Sequence, residues 1–410
     1  MARARWGGGQ HAVRGLTRAA TATVTPIWTS GFRPFFLAAS LYGPALIALW
    51  YGARIGLWPA PHAHLPLWVL HAHELLFGFA GALVCGVLLT ALPSWTGATE
   101  IRGLRLRILA ALWLVGRVCV LFQDELPKLL VAIGDCSLLP VLCIFLALSA
   151  RGARKRLFVW TTVPLCAFTA ANFVYYAGII GGSAGEIRLS LTLAVDALMF
   201  LFTLYGGLFV PAFTRRWLRT RGMESRPISP PIEYATAVAM LAFALTDLFQ
   251  APQLWVALAS VAAALVHTWR WMRWRGWRTF RDPILRSLHI AYLWLIVSFV
   301  LRACAGGRAG WHDAAVHAFT IGAYSTLKIG LMTRVVLKHT GRPVRADRPM
   351  RIAFAMMPIA AVLRIAFAVL HGPEWLAGAS AFLWAAAFLI YLFRFGPFLV
   401  RASLPRSAPA

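Results

Sequence analysis

Twelve apolar segments, each long enough to cross a bilayer as a helix, cover most of this 410-residue chain. The hydrocarbon core of a membrane takes roughly 20 helical residues, so segments of this length indicate membrane-spanning helices. We therefore predict an all-α fold, a polytopic membrane bundle of about twelve transmembrane helices. The predicted helices cover residues 35–53, 66–92, 104–122, 127–149, 157–180, 187–213, 232–249, 252–271, 284–304, 313–337, 352–371 and 375–400.

No long polar stretch separates these segments, so we predict a single transmembrane domain over residues 35–400. Residues 1–34 contain arginines and no acidic residue, but they lack the short apolar core and the cleavage site of a signal peptide. They are predicted to form a cytoplasmic tail, and residues 401–410 are predicted to form a second one.

The basic residues provide a test of this division into helices. The chain has 40 Lys+Arg against 14 Asp+Glu, which gives a net charge of +26. When the connections are assigned alternately to two sides, 29 basic residues fall on the side of both termini, 5 on the other side and 6 within helices. Cytoplasmic loops carry the excess of Lys and Arg, so both termini are predicted to be cytoplasmic. Because the charge is spread over seven short segments, we expect the bilayer as partner and no nucleic acid.

The second predicted helix carries ionisable residues inside its apolar run. His71, His73 and Glu74 lie roughly 8–10 Å along the helix axis from its periplasmic end. At about 100° per residue, His71 and His73 point about 200° apart, so a regular helix cannot offer both to one metal. One can face a buried cofactor, and Glu74 can hydrogen-bond a ligating histidine of a neighbouring helix. The alternative is an interfacial histidine pair beside a snorkelled glutamate.

The tenth predicted helix carries a line of polar residues across the membrane. His317, Lys328 and His339 follow one another at a spacing of 11 residues, which advances only about 20° beyond whole turns. The line predicts a ligand at His317 together with a proton or electrostatic path. The alternative is a structural Lys328 that snorkels or pairs with Asp196. Near the end of the same helix, Arg334 can hold an anionic propionate or phosphate.

A second site is predicted at the cytoplasmic side of the ninth and tenth helices. A short hairpin joins these helices and makes them neighbours. His289 and His339 can therefore meet there and form a second metal or quinone site. Isolated structural histidines are the alternative.

Neutral histidines from two helices are a common means by which a membrane bundle holds haem iron, and imidazole also suits copper. The sequence has no C-x-x-C-H motif, which excludes covalent c-type haem. We therefore predict a haem b between the second and tenth helices. Its axial ligands are His317 and one of His71 and His73, with Glu74 hydrogen-bonded behind a ligand.

Several short motifs occur in order along nearly the whole chain. They are GFRPFFL at 31–37, HAHE at 71–74 with FGF at 77–79, LLTALPSWTG at 88–97, LHIAY at 288–292, LMTRV at 331–335 after His317, and HTGRP at 339–343. Together they resemble the NnrS family, bacterial inner-membrane proteins described as carrying haem and copper and expressed in response to nitric oxide. Two positions depart from the family pattern: Leu208 stands where arginine is usual, and Lys338 where glycine is usual.

The resemblance implies haem, copper and a role in nitric oxide metabolism or nitrosative-stress defence in the bacterial inner membrane. Nitric oxide, a quinol or another electron donor would be partners, and an enzyme of this kind would be an oxidoreductase acting on nitric oxide. A looser likeness connects the chain to haem–copper oxidases, whose copper ligands lie on helices 6 and 7. Those helices have no histidine here. Copper ligands would instead be the unused one of His71 and His73, or His289 with His339.

Two other functions stay open from the sequence. One is a metal-independent transporter or permease that uses Lys328 and Asp196 as a polar intramembrane path. The other is a non-catalytic partner of denitrification enzymes. The sequence leaves the oligomeric state open.

Overall fold

The computed structural model describes residues 25–61, 65–149 and 155–405, and these residues form helices and connections without a β-strand. Twelve long helices are present there, one for each predicted segment. They are α1 (Phe32–Arg54), α2 (Leu67–His73, Glu74–Ala80 and Gly81–Thr96), α3 (Gly103–Leu121), α4 (Lys128–Cys136 and Leu138–Ser149), α5 (Lys155–Gly181), α6 (Ala184–Arg219), α7 (Pro230–Leu248), α8 (Gln253–Arg273), α9 (Pro283–Ala303), α10 (Ala309–His317, Ala318–Ser325 and Thr326–His339), α11 (Arg348–Leu370) and α12 (Glu374–Val400).

Most helix ends agree with the apolar segments to within a few residues, and the differences have a physical cause. Helix α6 continues to Arg219, six residues beyond the predicted end at residue 213. Apolar composition reports where a segment lies in hydrocarbon, whereas helical hydrogen bonds continue into the polar region. Residues 1–24 of the predicted N-terminal tail and residues 406–410 of the predicted C-terminal tail lie outside the described residues.

Polar side chains mark the start of three helices. Ser183 accepts a hydrogen bond from a backbone N–H in the first turn of α6, and Asp347 does the same for α11. Asp282 accepts two such bonds at the start of α9. The first N–H groups of a helix have no partner within the helix, and such caps satisfy them.

The helices pack mainly on neighbours in the chain, and α12 returns to lie against α1. Helix α5 packs along α6, α8 lies between α7 and α9, and α10 contacts α9 and α11. Nine of the described helices are long and apolar enough to cross a membrane by length and composition. Many large apolar side chains are exposed on the outside of the bundle, where lipid chains would cover them. This is the architecture of a multi-pass membrane protein.

The arginine of the first motif joins the two ends of the fold. Arg33 is 2% exposed, and its guanidinium donates to the carbonyl oxygens of Phe398, Leu399 and Arg401 at 3.1, 2.9 and 2.7 Å. It also donates to the hydroxyl of Ser403 at 2.8 Å. The last carbonyls of a helix lack partners and carry partial negative charge, so this buried cation caps α12 and fastens it to α1.

Two helices change their hydrogen-bond pattern immediately after their histidines. Glu74–Ala80 in α2 and Ala318–Ser325 in α10 are π-helical, with backbone bonds that span five residues. The hydroxyl of Tyr324 donates to the carbonyl oxygen of Ala80 at 3.1 Å, which joins the two π-helical segments directly. Segments of this kind occur frequently at functional sites.

Candidate functional site

The two histidines of α2 face different helices, as their spacing predicts. The ring of His71 lies against Trp50 of α1, with ring centroids 4.1 Å apart. The ring of His73 stacks on Tyr175 of α5, also with centroids 4.1 Å apart. A single metal ion therefore has access to one of these rings and not to both.

Both ring nitrogens of His73 are engaged by oxygen atoms. The Nδ1 atom lies 2.9 Å from Oε1 of Glu74. The Nε2 atom lies 3.2 Å from Oδ1 of Asn172 and 3.3 Å from Oδ2 of Asp135. A carboxylate oxygen can only accept, and the Asn172 amide donates through its nitrogen to Asp135. With both carboxylates ionised, both nitrogens of His73 donate, and the ring is then a cation without a free lone pair.

Arg117 of α3 connects the carboxylates on either side of His73. Its guanidinium donates to Glu74 through one nitrogen and to Asp135 of α4 through another. The hydroxyl of Tyr42 on α1 also donates to Glu74. These contacts define a buried ionic network that ties α2 to α1, α3, α4 and α5. Its members are Tyr42, His73, Glu74, Arg117, Asp135 and Asn172.

The ionic network balances its own charge. Arg117 and His73 contribute two positive charges, and Glu74 and Asp135 contribute two negative ones. All four side chains are buried, and Arg117 is the most exposed of them at 8%. Isolated charges in a membrane interior are costly, and mutual pairing with hydrogen bonds removes most of that cost.

Small residues let the helices of the network approach closely. A Cβ atom at Gly134 of α4 would lie 2.5 Å from the sulfur of Cys119 on α3. A Cβ atom at Gly116 of α3 would lie 3.0 Å from Oδ1 of Asp135. Glycine at helix crossings allows this separation in membrane bundles. The Arg117–Asp135 pair therefore depends on the close packing of α3 on α4.

Sequence reasoning identified His73 and Glu74 but missed most of their partners. Glu74 was expected to bond a histidine of a neighbouring helix, whereas it bonds His73 of its own helix. Asp135 and Asn172 were missed altogether. An ionisable residue inside an apolar segment is the signal that could have identified these partners, and both Arg117 and Asp135 fit that description.

His71 has the opposite environment from His73. Its Nδ1 atom is buried and has no hydrogen-bond partner among the described residues. His317, Arg364 and Asp313 lie within electrostatic range of the ring. The fold thus brings His71 of α2 and His317 of α10 towards one another at the same end of the bundle.

A carboxylate and a carbonyl orient His317. Its Nδ1 atom lies 2.9 Å from the backbone oxygen of Asp313 and 3.0 Å from the Oδ1 atom of the same residue. Arg364 of α11 holds the other carboxylate oxygen at 2.8 Å. When Nδ1–H of an imidazole is held in this way, Nε2 keeps a lone pair that can bind a metal.

The surroundings of His71 and His317 fit a haem. His71 has a buried Nδ1 atom without a partner among the described residues, and His317 is held through Nδ1, so each ring could offer one nitrogen to haem iron. The Nη1 atom of Arg364 is buried without a hydrogen-bond partner among the described residues, and it can serve a haem carboxylate. Within residues 25–61, 65–149 and 155–405, no group of three or more His, Cys, Asp or Glu side chains is arranged to hold a metal ion.

His289 and His339 have different neighbours. The Nε2 atom of His289 lies 2.8 Å from the hydroxyl of Thr214 on α6, and the backbone of Gly276 packs against the ring. The ring of His339 packs on Phe32 of α1, with centroids 5.6 Å apart. A shared metal or quinone site for the two histidines stays a prediction.

A π-helical segment interrupts the predicted polar line along α10. The π-helical segment Ala318–Ser325 lies between His317 and Lys328, and each of its residues turns by less than in an α-helix. Lys328 is buried, with its ammonium 4.9 Å from the ring centroid of Tyr324. Pairing with Asp196 was one alternative for Lys328, but the charged neighbours of Asp196 are Asp247 and Arg302.

Arg334 lies over an aromatic ring near the end of α10. Its guanidinium carbon is 3.9 Å from the ring centroid of Phe213 on α6. The Nε atom is buried and has no hydrogen-bond partner among the described residues. A propionate or phosphate bound at Arg334 stays a prediction.

Comparison with known proteins identifies the family. The family described as NnrS protein matches residues 26–403. The chain belongs to the NnrS family. No curated protein matches the chain. Membership in the NnrS family supports a role in the nitric oxide response.

A second buried polar cluster lies beside Leu208, the position on α6 at which this NnrS chain departs from the family pattern. Leu208 follows Gly207, whose backbone packs directly against the guanidinium of Arg270 from α8. Arg270 bonds Glu233 of α7 and lies 3.1 Å from the hydroxyl of Tyr292 on α9. Sequence reasoning did not identify this cluster, because its members come from four different helices.

Proposed function

We propose that this protein binds haem b within the membrane bundle and acts in the bacterial nitric oxide response at the inner membrane. His71 and His317 would hold its iron. The observation that carries the proposal is the buried Nδ1 atom of His71, which has no partner among the described residues and lies near His317. An imidazole nitrogen that is desolvated without a hydrogen bond is costly unless a ligand satisfies it.

His71 suits this role better than His73. Both nitrogens of His73 are occupied by the ionic network, so ligation through His73 would break contacts with Glu74 and Asp135. Breaking a buried charge pair costs roughly 3–5 kcal/mol. Ligation through His71 breaks no hydrogen bond at Nδ1.

The residues around the two ligands have separate tasks. Asp313 holds the Nδ1–H group of His317, which fixes the tautomer and leaves Nε2 for the iron. Trp50 packs against His71 and limits its rotation. Arg364 offers a positive charge to a haem carboxylate. The bound haem would supply an iron centre that binds nitric oxide or exchanges electrons.

The test is the haem content of the purified protein and of single histidine variants. We expect a Soret band in the wild type and its loss in His71→Ala and His317→Ala. The matched control is His371→Asn, which changes an exposed histidine with φ +49° to a residue that tolerates this conformation. It should keep the full haem content. Trp50→Leu should keep haem but shift its spectrum or midpoint potential.

Two outcomes would overturn the proposal. One is a wild-type protein without haem when it is produced in cells that supply haem to other membrane proteins. The other is His73→Ala losing haem while His71→Ala retains it in folded protein.

Copper, a quinol and the electron donor stay predictions. A transporter would have used the Lys328–Asp196 path, and the separate surroundings of these residues do not favour that function.

A further inference from the structure

A large cleft lies at the opposite end of the bundle from His71 and His317. Its volume is about 640 Å³, and the ends of α9, α10, α11 and α12 surround it together with the connection between α10 and α11. A cleft of this size is within the range that holds a small-molecule ligand. It lies on the side to which the basic loops assign the cytoplasm.

The charged residues that line the cleft are predominantly cationic. Five arginines and one aspartate face it: Arg281, Arg342, Arg345, Arg351, Arg394 and Asp347. Arg394 pairs with Asp347, so one arginine is neutralised within the cleft. Arg342 donates to a backbone carbonyl and lies 3.7 Å from the ring centroid of Phe398. Partial burial, and after it the nearby charge of Arg394, lower the pKa of Arg342.

Three of these arginines have no partner in the described part of the chain. The guanidinium groups of Arg281, Arg345 and Arg351 form no hydrogen bond or ion pair there. They come from three different segments: the connection before α9, the connection before α11, and the first turn of α11. Because the three guanidinium groups converge on one cleft, they can act together on one anion, whereas the charges of an ordinary basic loop spread into solvent.

The floor of the cleft is apolar. Leu337 and Phe395 are nearly fully buried, and Phe398 completes this surface. An apolar floor with a cationic rim suits a ligand that has an anionic group attached to an apolar body. Guanidinium groups recognise phosphate oxygens through paired hydrogen bonds, and they are weakly hydrated.

We propose that this cleft binds a phosphate-bearing anion at the rim of the membrane. Two sources share this chemistry: the headgroup of an anionic phospholipid and a soluble phosphate compound. Near a membrane surface each arginine contributes about 1 kcal/mol to binding of an anionic lipid, which corresponds to about a fivefold change in affinity. The three unpaired arginines together should then account for about 100-fold.

The experiment compares two triple variants of equal charge. The first, Arg281→Gln with Arg345→Gln and Arg351→Gln, removes the unpaired arginines of the cleft. The second, Arg219→Gln with Arg226→Gln and Arg278→Gln, removes three exposed arginines of the same face that do not line the cleft. Each protein is incorporated into nanodiscs of phosphatidylcholine with or without phosphatidylglycerol. Lipid retained after detergent extraction is counted by mass spectrometry, and the melting temperature confirms folding.

We expect wild type and the control triple variant to retain phosphatidylglycerol over phosphatidylcholine, and the cleft variant to lose this preference at an unchanged melting temperature. Millimolar inorganic phosphate is the second probe. If it raises the melting temperature in detergent and displaces phosphatidylglycerol, the source is a soluble phosphate compound; if it does neither, the source is the lipid headgroup. Equal loss in both triple variants would overturn the proposal, as would wild type that prefers neither lipid and ignores phosphate.

Discussion

Removing one charge from the buried ionic network should destabilise the protein strongly, and removing a matched pair should not. Arg117→Met leaves His73 with two carboxylates, so the network changes from neutral to a net charge of −1. Leaving a buried charge without its partner costs roughly 3–5 kcal/mol. Asp135→Leu leaves a net charge of +1 and should cost a similar amount. The double variant keeps only the neutral pair of His73 and Glu74.

Replacing a buried ion pair by apolar residues of similar size is often nearly neutral. The double variant should therefore be more stable than either single variant. The difference in stability between the single variants and the double variant comes from charge and not from lost contacts. Glu74 keeps its hydrogen bonds to Tyr42 and His73 after Arg117 has been removed. Asn172 likewise still reaches Nε2 of His73.

The free energy of unfolding can be followed in mixed micelles by tryptophan fluorescence, since the chain has 18 tryptophans. Arg188→Met is the matched control, because it removes an exposed arginine near the start of α6 and should change stability by less than about 0.5 kcal/mol. If Arg117→Met is as stable as the control, the network is not a coupled unit. Additive costs in the double variant would refute the charge-balance argument as well.

Two further predictions concern packing. Arg33→Ala removes the cap of the last α12 carbonyls and should lower the free energy of unfolding by about 3 kcal/mol, measured in the same unfolding assay. An unchanged midpoint of the unfolding transition would contradict the capping role of Arg33. Gly207→Ala would place a methyl group on the guanidinium of Arg270, which Tyr292 also holds, and should cost about 1–3 kcal/mol. Gly206→Ala is its control, because the nearest atom lies 3.5 Å from the added Cβ, and equal costs for the two variants would be inconsistent with this contact.

The number and extent of the helices followed from the sequence, because apolar length is a property of each segment alone. Helix α7 ends at Leu248 and α8 begins at Gln253, as the short predicted connection between them required. The divergence of His71 and His73 followed as well, since it depends only on the pitch of one regular helix. These features need no knowledge of any neighbouring helix.

The pairing of polar groups between helices could not be predicted in the same way. Asp135 bonds Arg117 and not a closer residue in the chain because glycines let α3 and α4 approach. Lys328 and Asp196 were paired by depth alone, yet depth does not say in which direction each side chain points. The π-helical segments further changed the direction in which side chains point. The spacing of apolar residues in the sequence does not reveal such a segment.

The ionic network and the candidate haem ligand are coupled through the rotation of α2. His73 and His71 point about 200° apart on one helix, so a contact that fixes one also fixes the direction of the other. The network holds His73 towards α4 and α5 and thereby directs His71 towards Trp50 and α10. A variant that changes the charge of the network without unfolding the protein should therefore alter the spectrum of the proposed haem, although no network residue is a proposed iron ligand. Asp135→Asn is the mildest such change. An unaltered haem spectrum in folded protein would show that the ionic network and the candidate haem ligand are independent.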